Sequence, residues 1–228
     1  RQGEFDRAAG ASDWRAPWWL PGGNAQTIWP ALAGRRYDGP PPRFARERWA
    51  TPDGDFVDVD RLLQPADAAA ATAAARPLLA LFHGLEGSSA SHYAQAFAAA
   101  ARARGWDFAL PHFRGCSGEL NLAPRAYHSG DHEEVGWMLA RLRAAHGRPV
   151  LAVGVSLGGN ALLRWAEEAG AQAARTAAAV CAISSPIDLM AGGLAITRGF
   201  NRHVYNRMFL RTMKPKALAK LAQHPGLF

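Results

Sequence analysis

The hydrophobic pattern changes its period once along the chain. Residues 44–51 and 55–63 read as strands, the second alternating cleanly as Phe56, Val57, Asp58, Val59, Asp60, Arg61, Leu62. Pro52-Asp53-Gly54 between them has the chemistry of a tight turn. Such alternation predicts one buried and one solvated face. From Pro77 the signal differs. Pro77-Leu78-Leu79-Ala80-Leu81-Phe82 is a continuous apolar run, as expected of a strand covered on both faces. A helix over 90–104, a strand over 106–112, a helix over 130–146, a strand over 150–154, a helix over 157–169 and a strand near 177–184 follow. Four buried strands, each separated from the next by a helix, predict a mostly parallel α/β sheet. Ahead of them, 1–42 is dense in Trp, Pro and Gly and reads as an N-terminal arm laid on the core, not as a helix. Contact of its Trp cluster with lipid headgroups is the lesser alternative. The Ala-rich stretch 66–76 reads as a linker or short helix.

Composition narrows the class. With 228 residues, 49% hydrophobic and 20% charged, the chain fits one folded domain and neither a disordered tail nor a membrane bundle. No apolar run approaches the ~20 residues of a membrane-spanning helix. Cys116 and Cys181 form no disulfide framework and no cysteine zinc site, which suits a reducing, cytoplasmic setting. The chain opens on Arg1 without a readable leader, as expected if an upstream piece has been cut away. The net charge of +7 invites a nucleic-acid reading, but its distribution argues against one. Seven basic residues and no acid lie from Arg198 onward; the residues before it carry 19 basic and 19 acidic side chains. No nucleic-acid module is recognisable, so no nucleic-acid partner is expected.

In parallel sheets the chemistry gathers at the carboxyl ends of strands. After the 150–154 strand comes Gly154-Val155-Ser156-Leu157-Gly158-Gly159, a Gly-x-Ser-x-Gly turn from strand to helix. Ser156 is the candidate nucleophile, and the Leu157 N–H at the start of the helix is a candidate oxyanion donor. The alternative is a glycine-rich turn that only packs. After the 78–82 strand comes His83-Gly84-Leu85-Glu86-Gly87, where the Leu85 N–H is the second candidate donor and His83 is expected to order the loop instead of acting as a base. Arg114 is expected in an ion pair or in packing, and Cys116 in inert packing. His128 and His132, four apart, fit one helix face but lack the glutamate placement of a zinc-protease helix. No metal and no organic cofactor is implied.

In order, His83-Gly84-Leu85-Glu86-Gly87, His112-Phe113-Arg114-Gly115-Cys116-Ser117-Gly118-Glu119, Tyr127-His128-Ser129-Gly130 and Gly154-Val155-Ser156-Leu157-Gly158-Gly159-Asn160 closely resemble the YheT-like α/β-hydrolases, family 4 of the AB hydrolase superfamily. Pro17-Trp18-Trp19-Leu20 with Asn24-Ala25-Gln26-Thr27-Ile28, and Ser185-Pro186-Ile187-Asp188-Leu189, also fit. The resemblance implies an α/β-hydrolase fold and a serine esterase acting on carboxylic esters, short-chain or lipid-like. It also implies a helical lid after the sixth strand, at 187–228. One departure stands out: the family's acid and base follow two further strands, so the resemblance puts the catalytic Asp and His beyond Phe228 and reads the chain as a piece of a longer enzyme. Asp188, after a core strand, is the weaker candidate acid; His203 and His224 are the weaker candidate bases.

The partner expected is a small-molecule ester. Contact of the basic segment with an anionic membrane, through Phe200, Val204, Met208 and Leu210, is less favoured than charge balance by a missing part. Two other functions stay open: an acyltransferase using the same acyl-enzyme, and a non-catalytic protein of this fold. A sheet ending at its sixth strand is expected to leave an unpaired edge and an uncovered part of the core.

Overall fold

The computed structural model describes residues 15–34, 37–64 and 76–226. The Ala-rich 66–76 stretch, all but its last residue, lies outside them. Contacts divide the chain into two units, 1–36 and 37–228. In the first, the pattern predicts an arm without a helix, and the structure instead forms α1 (Gly22–Leu32). Glycines and a proline usually read as breakers; here Gly22 and Gly23 stand at the helix start, where they are tolerated, whereas Pro30 lies inside the helix, close to its end. Trp19 meets Trp29 edge-on at 5.2 Å between ring centres.

The second unit is built on six strands: β1 (Phe44–Ala50), β2 (Phe56–Leu62), β3 (Leu78–Phe82), β4 (Asp107–Pro111), β5 (Val150–Val155) and β6 (Ala177–Ile183). Their order is β1-β2-β4-β3-β5-β6; β1, β2 and β4 pair antiparallel, and β4, β3, β5 and β6 pair parallel. Between the strands lie α2 (His92–Ala103), α3 (His132–His146) and α4 (Leu157–Ala169). Every expected strand and helix from residue 44 to 184 is present within two residues of its predicted ends.

Side chains alternate across β3 and feed two cores. Leu78, Ala80 and Phe82 join α3 and α4 on one face, and Leu79 and Leu81 join α2 on the other. That two-sided cover is why this strand reads as a continuous apolar run. The chain leaves β3 toward β4 and leaves β5 toward β6, in opposite directions. The switch point of the sheet therefore lies between the carboxyl ends of β3 and β5, the usual place for a ligand in such a sheet.

Two expectations need correction. The alternation of β2 predicts solvated Asp58 and Asp60, yet both are buried. Each is gripped by an arginine of β1, Asp58 by Arg48 at 2.8 Å and Asp60 by Arg46 at 2.7 Å, so charge pairing replaces hydration. The sequence also predicts β6 as a buried strand, alongside an unpaired edge at the sixth strand. Among the described residues β6 is the last in the sheet, and Ala178, Ala179, Cys181 and Ile183 are exposed, as an unpaired edge leaves them.

After β6 the chain is helical: α5 (Leu189–Ile196), a turn at Gly199–Asn201, a π-helical turn at Arg202–Asn206, and α6 (Arg207–Gln223). No helix among the described residues is long and apolar enough to cross a membrane.

The start of α4 lies against β5 and the end of β3 with no room for side chains. A Cβ on Gly154 would stand 2.5 Å from the Gly159 Cα and 2.6 Å from the Gly158 carbonyl oxygen. Both obstacles are backbone. Gly154→Ala is therefore expected to lower the unfolding free energy by about 3 kcal/mol, the upper range for overpacking. Urea unfolding measures it, and a midpoint equal to that of the parent protein would refute the close packing.

Candidate active site

The tight start of α4 leaves a single residue to turn the chain from strand to helix. Ser156 does so at φ 53° and ψ −119°, a left-handed conformation that costs a non-glycine residue about 1–3 kcal/mol. Its N–H donates to the Ile183 carbonyl at 2.8 Å, and its own carbonyl accepts the Asn160 N–H at 3.0 Å. The residue is half-buried at the switch point of the sheet, at the N-terminal end of α4. There the first N–H groups of a helix lack intrahelical partners and carry partial positive charge.

The loop after β3 is pressed against this serine. A Cβ on Gly84 would lie 3.2 Å from the Ser156 Cβ. His83 fixes the loop from beneath. It is fully buried; its Nε2 accepts the Phe113 N–H at 3.0 Å, so its Nδ1 must carry the proton, which it donates to the Gly84 carbonyl at 2.7 Å. Burial pushes its pKa down to about 3, so the ring is neutral and serves as the expected loop anchor. The Tyr93 hydroxyl accepts the Gly84 N–H at 2.9 Å, and the Tyr127 hydroxyl accepts the Glu86 N–H at 2.9 Å. Leu85 lies between these two fastened amides. Among the described residues, no acceptor occupies the N–H of Leu85 or of Leu157.

The other candidates are placed as follows. Arg114 is buried among three carboxylates, 2.6 Å from Glu134, 2.8 Å from Asp53 and 3.0 Å from Asp55. Cys116 is buried, and desolvation raises its thiol to about 11, so it is not a thiolate nucleophile. His128 and His132 share no helix face, because α3 begins at His132 and His128 is exposed ahead of it. Asp188 is exposed at the N-cap of α5, where its Oδ1 accepts the Ala191 N–H at 2.8 Å. His203 is exposed in the π-helical turn, and His224 Nε2 lies 2.8 Å from the Leu122 carbonyl oxygen. Among the described residues, none of these groups hydrogen-bonds the Ser156 hydroxyl, and no group of three or more His, Cys, Asp and Glu side chains is arranged to hold a metal. Sequence reasoning missed Tyr93, Tyr127 and Lys216. Tyr127 stands within a quoted motif, but nothing in the sequence marks what its hydroxyl holds. Lys216 pairs with Glu86 at 2.7 Å.

Beside the loop, a cavity of about 400 Å³ lies between the core and α6. Leu85, Leu120, Pro124, Tyr127, Met213 and Ala217 line it.

The family model described as "alpha/beta hydrolase fold" matches residues 77–228. The chain belongs to the α/β-hydrolase family. Within it the sequence is YheT-like: it is 43% identical over 181 residues to YheT of Escherichia coli (strain K12), which is named as a proposed esterase, covering 79% of this chain and 51% of that one. It is 29% identical over 145 residues to the phospholipase ABHD3 of Mus musculus, covering 63% and 35% respectively. The chain thus spans about half or less of the length of these curated relatives. Among solved structures, an esterase of Pyrococcus furiosus shares the fold at TM-score 0.53 and 15% identity, covering 77% of this chain and 63% of its own. A proposed epoxide hydrolase of Pseudomonas aeruginosa does so at TM-score 0.50 and 18% identity, covering 75% and 51%.

A pH dependence follows from His83. Unfolded, this histidine takes up a proton below about pH 6.5; folded, it does so only near pH 3. Its contribution to stability is complete above the unfolded value and is lost as pH falls from there toward the folded value. Burial lowers His112 too, so it acts in the same direction. The urea midpoint is expected to drop between pH 7 and pH 5, and His83→Asn to flatten that drop. An unchanged slope in the variant would contradict the neutral, buried histidine.

Proposed function

We propose that this chain carries the nucleophile and the oxyanion donors of a serine hydrolase that cleaves carboxylic esters. The Ser156 Oγ attacks the ester carbonyl carbon, the alcohol departs, and water then releases the acid from the acyl-enzyme. The N–H groups of Leu85 and Leu157 hold the oxyanion, each donor being worth roughly 3 kcal/mol of transition-state stabilisation. In this reading the proton goes to a histidine, oriented by an aspartate, beyond Phe228, in the part of the relatives that the chain does not span. Asp188 is the weaker alternative for the acid, since its carboxylate already caps α5. The observation that carries the reading is the left-handed Ser156 at the head of α4 with the Gly84 loop packed against it.

The apolar cavity beside Leu85 has the size of small-molecule sites and suits an acyl chain. A relative named as a phospholipase favours lipid-like over short-chain esters. The helical segment 187–226 is the lid of this reading. Two free cysteines, one of them buried, favour a reducing compartment such as the cytoplasm.

Fluorophosphonate labelling of the protein captured from its native source tests the reading. Labelling of the parent, its loss in Ser156→Ala and a fall of about 10³-fold or more in ester hydrolysis are expected. An unlabelled parent would sink the reading and leave the strand-to-helix turn as non-catalytic scaffold.

A further inference from the structure

Glu86 shares with Ser156 a backbone that non-glycine residues rarely adopt, at φ 57°. Such a conformation persists only where its surroundings hold it. Two groups do so here. The Tyr127 hydroxyl accepts the Glu86 N–H at 2.9 Å and donates to the Glu86 Oε1 at 2.8 Å, closing a ring of hydrogen bonds on one residue. The Tyr127 ring is itself stacked on Phe113, 5.5 Å between centres and 12° from parallel, and the Phe113 N–H is the group bound to His83. From the other side, Lys216 of α6 pairs with Glu86 Oε2 at 2.7 Å. The Glu86 side chain is 9% exposed, so this pair is shielded from solvent more than a surface ion pair. With the Gly84 N–H on Tyr93, the Leu85 peptide is fastened on both flanks.

We propose that Glu86 is a positioning residue through which α6 sets the oxyanion loop: Tyr127 and Lys216 hold Glu86, Glu86 aims the Leu85 N–H, and the oxyanion site is complete only while α6 is docked. This deepens the serine-hydrolase reading and rests on it. The helix that covers the cavity is thereby tied, by one side chain, to the group that stabilises developing charge.

The test combines two measurements on the parent protein and five variants: Lys216→Met, Lys216→Arg, Glu86→Gln, Tyr127→Phe and Lys214→Met. One is hydrogen exchange of the Gly84 and Glu86 amides. The other is fluorophosphonate labelling of Ser156, resolved into its maximal rate and half-saturating concentration. Lys216→Met and Glu86→Gln are expected to speed exchange of both amides and to cut the maximal labelling rate roughly tenfold, less than the 10²–10³ lost with a whole oxyanion donor. Half-saturation should stay within about twofold, because ground-state binding is untouched. Tyr127→Phe sets the full size of the effect, Lys216→Arg restores the parent behaviour, and Lys214→Met, exposed on the same helix, changes neither measurement. A parent that labels while Lys216→Met and Glu86→Gln match it in exchange and rate would overturn the role of Glu86 alone. A parent never labelled on Ser156 would overturn the serine-hydrolase reading and this role with it.

Discussion

The contact between the first turn of α4 and the ends of β3 and β5 is the one on which the turn at Ser156 depends. Where Gly154 and Gly159 meet there is no space for a Cβ, so strand and helix approach at backbone distance and no loop fits between them. One residue must then reverse the chain, and that residue is Ser156 at φ 53°. The strain of about 1–3 kcal/mol is offset by what the same helix buries. Leu157, Ala161, Leu162 and Trp165 enter the larger core, and one fully buried leucine alone is worth about 1.5–3 kcal/mol. The packing thus wins over the backbone strain, and its by-product is a half-buried serine at the head of α4, against the loop after β3.

The same economy of space explains how the domain treats polar groups near that turn. An imidazole can shed its proton, and His83, fully buried between two backbone partners, does so. A guanidinium cannot, so Arg114 is buried only with Asp53, Asp55 and Glu134 around it. Burial raises Glu134 despite that neighbour, whereas Arg114 holds Asp53 down at about 2. Arg114 and His83 belong to neighbouring loops, yet one is a fixed charge and the other a neutral spacer.

Much of this was legible in the sequence, for reasons that also mark what was not. Strands covered on both faces must be apolar throughout, so β3 and β5 announce themselves, and Gly-x-Ser-x-Gly between β5 and α4 marks the turn. The alternation in β2 misleads because it records residue type and not partner: Asp58 and Asp60 are polar yet buried, each matched by an arginine on β1. In α1 the misreading is partly positional, since Gly22 and Gly23 stand at the start of the helix, while Pro30 is carried inside it. Tyr127 and Lys216 were invisible for another reason. Both act across long sequence separations, Tyr127 on Glu86 from 41 residues away and Lys216 on the same glutamate from the far end of the chain, and no local period encodes such a meeting.

The basic segment shows how a composition argument and a contact argument diverge. By composition, seven cations without an acid look like imbalance. By contact, two of them are spoken for: Lys216 by Glu86, and Lys220 by the carbonyls of Asn121 and Ala123 and the side chain of Gln223. Lys220 is also the one buried residue of α6 among those described. Among the described residues, the buried contact of α6 is an ammonium on backbone carbonyls, with Leu218 and Met208 exposed, so charge-assisted hydrogen bonds dock it. Such elements open at lower cost than those locked by burial. In the lid reading proposed for this segment, that is the behaviour α6 needs over the apolar cavity, because a substrate enters only when the cover yields without unfolding the sheet beneath it.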